Sequence, residues 1–208
     1  MVHRINNTVG AIRPLVQQIE MRLERARLEE SYLREKLARV RESADRALEV
    51  VRQLRWPFES VPDQPTDVNG SITAAWARLK APVGVAVRFE TGADLPPVRG
   101  TRQLEEVFHN LMSNALDAMA PGGGSLRVRS RPLDDRRVEV VFQDTGPGIP
   151  PEIREQIFRV GVTTKPGGMG YGLWWSRMFL RRLGGDMLLE SQTGRGCTFT
   201  VILPISQD

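Results

Sequence analysis

The chain has 208 residues, 40% of them apolar, which is enough to bury a substantial core in one or two domains. Its 29 Lys and Arg against 25 Asp and Glu give a net charge of +4, and no eighteen-residue apolar run or secretory leader pattern occurs in it, so neither a membrane-spanning helix nor a signal peptide is expected here. A single cysteine, Cys197, excludes an internal disulfide and a four-cysteine zinc site and fits a reducing, cytoplasmic setting, with a membrane anchor upstream of Met1 left open for the parent protein.

In chain order, the first element is helical. Ile5, Val9, Ile12, Val16, Ile19, Leu23 and Ala26 recur in alternating steps of four and three, a heptad seam. Leu33, Leu37, Val40, Ala44, Ala47, Val51 and Leu54 form a second seam of the same kind. One continuous helix is allowed, but Glu30 would then lie on the seam, and Ser31 is a fair N-cap, so a hairpin turning near Arg27 to Ser31 is favoured. Two narrow seams cannot close a core alone, and pairing of two copies into a four-helix bundle would close it. The isoelectric point near 9.8 is a weak argument for nucleic acid, because the arginines are scattered among glutamates along these helices. Solvated faces are expected, and no nucleic-acid partner.

The segment WPFESVPDQPT, Trp56 to Thr66, carries three prolines and ends the helical part. This divides the chain into a helical module over 1–58, a linker over 57–65 and a second domain over 66–208. In the second domain VGVAVRFE, SLRVRSRP, RRVEVVFQD, DMLLES and CTFTVILP alternate as strands do, while SITAAWARLK, TRQLEEVFHNLMSNALDAM and LWWSRMFLRRL have helical periodicity. The order is not strictly strand, helix, strand, which predicts an α+β sandwich with helices on one face of a mixed sheet.

Three features of that domain converge. On the helix from Thr101 to Met119, Asn110, Asn114 and Asp117 fall at i, i+4 and i+7 beside an apolar face. An ordinary polar face would explain them; so would a pair of amides that hold a hydrated cation together with phosphate. DTGPGIP, Asp144 to Pro150, follows a strand directly. A turn alone accounts for its glycines, yet a carboxylate at a strand end followed by Gly-x-Gly also lets a base approach the backbone while Asp144 accepts from an exocyclic amine, as adenine offers and guanine does not. VGVTTKPGGMGYGLWW then packs glycines just before a helix, which suits a flexible lid over phosphates, although the Walker pattern is absent.

HNLMSNALDAM, DTGPGIP, IFRVGVTTKPGGMGYGLWW and TGRGCTFTVILP resemble, in order, the N, G1, F, G2 and G3 boxes of the sensor histidine kinase family, which is grouped with gyrase, mismatch-repair and heat-shock ATPases. The resemblance covers nearly all of Thr66 to Pro204, and the helical hairpin before it resembles the family's dimerisation and phosphoacceptor module. It implies ATP and Mg²⁺ as ligands. By the resemblance Asn114 holds Mg²⁺, with Asn110 a second amide for metal or phosphate, and Asp117 continues that face. Asp144 reads adenine, with Gly146 and Gly148 lining the base and Thr198 near it. Lys165 reaches the phosphates from the lid, and Gly168, Gly170, Gly172 and Leu173 form the hinge and phosphate turn. Phe158 is implied to be a packing anchor, and Trp174 and Trp175 core. Two departures stand out: Cys197 occupies a position often Thr or Ser, and Tyr171 one usually Leu. The hydrolytic relatives carry a glutamate where this chain has Asn110, which cannot act as a base, so phosphoryl transfer is expected over rapid ATP hydrolysis.

HRINNTVGAI resembles the family's phosphoacceptor box, which makes His3 the expected acceptor and Asn7 a candidate for orienting water in a phosphatase reaction. Arg4 and Thr8 depart from that box: an acid usually follows the histidine, and a guanidinium cannot take up its proton. His3 shares a stripe with Asn7, Gly10 and Pro14 that has no bulky apolar side chain, leaving room for an ATP domain or a partner. The family's function is then autophosphorylation followed by transfer to an aspartate of a response-regulator receiver domain, in a homodimer joined through the hairpin. A helix that starts so close to His3 is expected to continue upstream into a sensor domain missing from this sequence. The alternative is a dimeric ATP-binding pseudokinase or phosphatase module, disabled as a kinase by Arg4.

Overall fold

The computed structural model of the chain describes residues 14, 16–19, 21, 32–41, 44, 64–163 and 170–206. Contacts divide the chain into two units, Met1–Glu59 and Ser60–Asp208. In the first, residues 16–19 and 32–41 are helical, and Arg39 pairs with Glu35 one turn away at 3.9 Å. The hairpin turn, His3, Arg4 and Asn7 lie outside the described residues.

The second unit begins with strand β1 (Gln64–Thr66), in a stretch that its prolines assign to the linker, and helix α1 (Val68–Trp76) follows at once. Asp67 caps α1, its Oδ1 accepting the Asn69 N–H at 2.9 Å. Then come β2 (Val85–Thr91), β3 (Val98–Gly100) and helix α2 (Leu104–Met119). β1 pairs with β3 antiparallel in a small sheet that alternation over three residues is too short to signal. The long helix starts at Leu104 rather than at Thr101 because the Leu104 N–H closes a turn on the Thr101 carbonyl at 3.0 Å.

The remaining elements are β4 (Gly124–Asp134), β5 (Arg137–Asp144), the single turn α3 (Pro151–Arg154), helix α4 (Gly172–Arg182), β6 (Asp186–Gln192) and β7 (Gly196–Pro204). The main sheet has the order β2-β4-β5-β7-β6. β2 and β4 run parallel because β3 and α2 cross between them, and the other pairs are antiparallel.

Strand alternation decides the layering. Leu126, Val128, Val138, Val140, Phe142, Val201 and Leu203 are buried in the sheet, and Val107, Phe108, Leu111 and Met112 of α2 and Phe179 and Leu180 of α4 are buried in the helices that pack on it. Phe108 and Phe142 cross with ring centroids 5.6 Å apart, tying α2 to the central strand. Arg127, Arg129 and Arg131, one step out of phase on β4, are exposed. Helices therefore cover one face of a mixed sheet, as the alternation predicts. Phe108 is fully buried, and burial of a phenylalanine side chain stabilises by roughly 1.5–3 kcal/mol, so α2 is held rigidly on the sheet.

Candidate functional site

The sheet ends β5 on Asp144, a carboxylate only 6% exposed. Its Oδ1 accepts two backbone donors, the Gly146 N–H at 2.9 Å and the Cys197 N–H at 3.2 Å, while Oδ2 accepts none among the described residues. Burial pushes the Asp144 carboxyl above its ordinary value, and the two N–H donors oppose that rise. A buried carboxylate with one oxygen anchored and one open is a recognition element for a donor group.

The loop after Asp144 packs closely on its neighbours through its glycines. A Cβ at Gly146 would come within 3.0 Å of Asp144 Oδ1 and 3.5 Å of the Ala118 Cβ, so this loop lies against the last turn of α2. Gly148 has φ +72, and a Cβ there would stand 2.2 Å from the Gln192 carbonyl oxygen, which only glycine tolerates. Two bonds flank it: Gly194 N–H to the Pro147 carbonyl at 2.8 Å, and Ile149 N–H to Ser191 Oγ at 2.8 Å.

The same helix carries the second cluster. Asn110 and Asn114 are half-buried and Asp117 is exposed, in the stripe that their spacing predicts. Asn110 Nδ2 lies 3.4 Å from Ser176 Oγ, and a Cβ on Gly172 would be 3.5 Å from Asn110 Cγ, so the amide sits against the first turn of α4. Among the described residues no side chain caps that helix at Tyr171, and a helix start of this kind can present N–H groups to an anion. Leu173 follows, half-buried, in the same turn. Asn110 and Ala118 are eight residues apart, about 12 Å along α2, so one rigid helix spaces the two clusters.

The glycine-rich stretch begins and ends at one point. The Gly161 N–H donates to the Gly170 carbonyl at 2.9 Å, and Gly170, at φ +66, approaches Gly161 too closely for a side chain. Lys165 and Gly168 lie outside the described residues. Phe158 precedes the stretch, with the Arg177 guanidinium 4.4 Å from its ring centroid. Arg177 is fixed in turn by Asp186, Nε to Oδ1 at 3.0 Å. Burial alone would raise the Asp186 pKa, but hydrogen bonds from Arg177, Arg181 and the Met187 N–H outweigh it and hold the carboxyl at about 2.

One expected site residue falls away. β5 pairs with β7 in the register Asp144↔Cys197 and Gln143↔Thr198, so alternation turns Thr198 to the opposite face of the sheet from Asp144. Cys197 takes its place, 3.2 Å from Ser191 Oγ. Tyr171 is buried edge-on to Trp174 at 6.3 Å, and Trp175 stacks on Phe179 at 5.5 Å, so all three aromatics pack rather than face the site. Ser176 and Ser191 were not legible as site residues, because a lone serine has no pattern; their strand and helix partners alone reveal them. Among the described residues no group of three His, Cys, Asp or Glu side chains could hold a metal, and a hydrated Mg²⁺ shared with phosphates needs only one or two protein oxygens, which the Asn114 and Asn110 amides can provide. Among the same residues no helix is long and apolar enough to cross a membrane.

Comparison with known proteins bears on this geometry. The family described as histidine kinase-, DNA gyrase B-, and HSP90-like ATPase matches residues 100–207. Sensor kinase CckA of Brucella abortus is 36% identical over 188 residues, covering 79% of this chain and 20% of the relative. Sensor protein FixL of Bradyrhizobium diazoefficiens is 35% identical over 185 residues, 83% of this chain and 35% of that protein. The chain thus spans about a third or less of these relatives. The solved structure of the mycobacterial sensor histidine kinase MprB superposes with a TM-score of 0.60 at 25% identity, covering 69% of this chain and 97% of that one.

Proposed function

The chain belongs to the histidine kinase-, DNA gyrase B-, and HSP90-like ATPase family, and from that premise we propose that it is the catalytic core of a sensor histidine kinase that binds Mg-ATP, phosphorylates His3 and passes the phosphoryl group to a response-regulator aspartate. The observation that carries the reading is Asp144, with one oxygen open, beside the last turn of α2, together with two amides one and two turns earlier on the same helix. Asp144 Oδ2 accepts from the adenine amino group, and Gly146 and Gly148 leave the base its slot. Guanine would set a carbonyl against this carboxylate and is refused.

Bound Mg-ATP supplies the γ-phosphoryl group and the metal charge that offsets its oxygens. Asn114 holds the metal through its amide oxygen, with Asn110 beside it. The first N–H groups of α4 receive phosphate oxygens, and Lys165 reaches them from the lid. Phosphoryl transfer has a loose transition state, so positioning and charge do most of the work, and neutral His3 attacks in line. Asn110 has no basic group to activate water, which favours transfer over hydrolysis. The copies pair through the helical module, the receiver domain docks on the stripe of His3, and Asn7 orients water in the reverse reaction.

Incubation of the full chain with γ-labelled ATP and Mg²⁺ tests this. An acid-labile, alkali-stable label lost in His3→Gln is the expected result. Label that survives the substitution overturns His3 as acceptor. A large gain in label in Arg4→Glu over a nearly silent wild type would instead make the chain a disabled kinase.

A further inference from the structure

We propose that Ser191 is a positioning residue for the base end of the site, a clasp that aims the Gly196–Cys197 peptide at Asp144 and holds the Gly146 to Ile149 loop on the β6–β7 hairpin; the inference rests on the nucleotide reading above. Ser191 lies on β6 directly opposite Cys197. Three groups surround its Oγ: the Ile149 N–H at 2.8 Å, the Gly196 carbonyl at 3.1 Å and the Cys197 Sγ at 3.2 Å.

A hydroxyl has one proton to give and two lone pairs to accept with. Donation to the Gly196 carbonyl uses the proton. Acceptance from the Ile149 N–H and from the Cys197 S–H uses both lone pairs. Burial, the larger effect, and the charge of Asp144 keep Cys197 a thiol and hence a donor, although Ser191 and Arg154 act the other way. The hydroxyl is then saturated.

The consequence lies in one peptide unit. The carbonyl of Gly196 and the N–H of Cys197 belong to the same planar trans amide and point in opposite directions. Ser191 holds the carbonyl, and Asp144 Oδ1 takes the N–H at 3.2 Å. A hydrogen bond at the carbonyl both fixes the tilt of that amide and polarises its N–H toward the carboxylate. The second bond acts on the other donor to Asp144. Ile149 is the far end of the loop whose Gly146 N–H anchors Oδ1, and among the described residues Ser191 is the one side chain bonding residues 147–149 to the hairpin. Both donors that orient Asp144 are therefore tied to one hydroxyl. Ser191 itself does not touch the base.

The test uses the full chain, with ADP binding measured by calorimetry without metal and autophosphorylation for KM and kcat. In S191A the Kd for ADP and the KM for ATP are expected to rise about tenfold with kcat near wild type, and S191T restores both. Unchanged affinity in S191A overturns the inference, as does a loss that S191T fails to restore. Should S191A not fold, the Ile149 amide of the nucleotide-free wild type decides: slow hydrogen exchange is expected, and exchange at the rate of an exposed loop overturns the clasp. Absence of ADP binding by the wild type would overturn the nucleotide reading and this one with it, whereas wild-type binding that S191A leaves intact overturns this one alone.

Discussion

The last turn of α2 and the stretch two turns before it face differently built surroundings. At the Ala118 end, Asp144 is buried and fixed by two backbone donors, and the loop beside it is bonded to the β6–β7 hairpin on either side of Gly148. At Asn110, two turns earlier, the amide makes one long contact among the described residues, to Ser176 at 3.4 Å, the facing helix has no side-chain cap among them, and a Gly161–Gly170 bond joins the two sides of the glycine-rich stretch. In the proposed reading, the base side is held by the protein's own bonds before a ligand arrives, and the phosphate side is held by fewer of them among the described residues. The difference suits the proposed site, which would hold a nucleotide and still deliver its terminal phosphoryl group.

The largest effect expected from this contrast separates chemistry from binding. Asn114→Ala removes the amide assigned to the metal in the proposed site and should lower phosphoryl transfer about 1,000-fold. Metal-free ADP binding should stay within about threefold, because the base end is untouched. Equal losses in both would mean that the two ends are not independent. Asp144→Asn probes the other end: an amide N–H₂ replaces the open oxygen and faces the adenine amine donor to donor. ADP affinity should fall about 100-fold by calorimetry. Stability of the nucleotide-free protein should not fall, because the substitution removes a buried charge whose raised pKa shows that folding disfavours it at neutral pH.

Most of the sheet and both long helices were legible in the sequence, because period-two alternation and the 3.6-residue stripe each persist over several turns or strands. What escaped has a local cause. β1 and β3 are three residues each, below the length at which alternation shows. Thr198 was placed beside the base by its motif, and only the β5–β7 register reveals that Cys197, not Thr198, shares the face of Asp144. Asp144 stands in the sequence as a plain strand-end acid; the motif points to a role, but its anchoring by the Cys197 N–H depends on a residue 53 positions away. Ser191 carries no signal until the hairpin pairs it with Cys197.

Smaller effects test how rigid the base end is. Gly148→Ala forces a side chain into positive φ against the Gln192 carbonyl and should destabilise the fold by about 2 kcal/mol, read from the denaturant midpoint. ADP affinity should drop with it, because the loop must retreat from the hairpin to relieve the contact. A variant that loses affinity without losing stability would show that the loop shifts freely, against the contrast drawn above.

The smallest effect concerns the anchor of the phosphate end. Asp186 fixes Arg177, and Arg177 covers Phe158 just before the lid stretch. Its carboxyl is held at about 2 in the folded protein, below the ordinary 3.8, so folding favours the charged form. The stability it contributes is complete above 3.8 and is lost as pH falls from there through 2. The full shift would exceed 2 kcal/mol, but the side chain is 34% exposed and screened by solvent, so about 1 kcal/mol is expected. Asp186→Asn should therefore lower the urea midpoint at pH 7 by about that amount, with the gap to wild type closing as pH approaches 2. Because Arg177 then loses its charged partner while Asp144 keeps both donors, the KM for ATP should rise in this variant and the Kd for ADP should not. A change in ADP affinity as large as that in KM would mean that the lid anchor and the base slot move together.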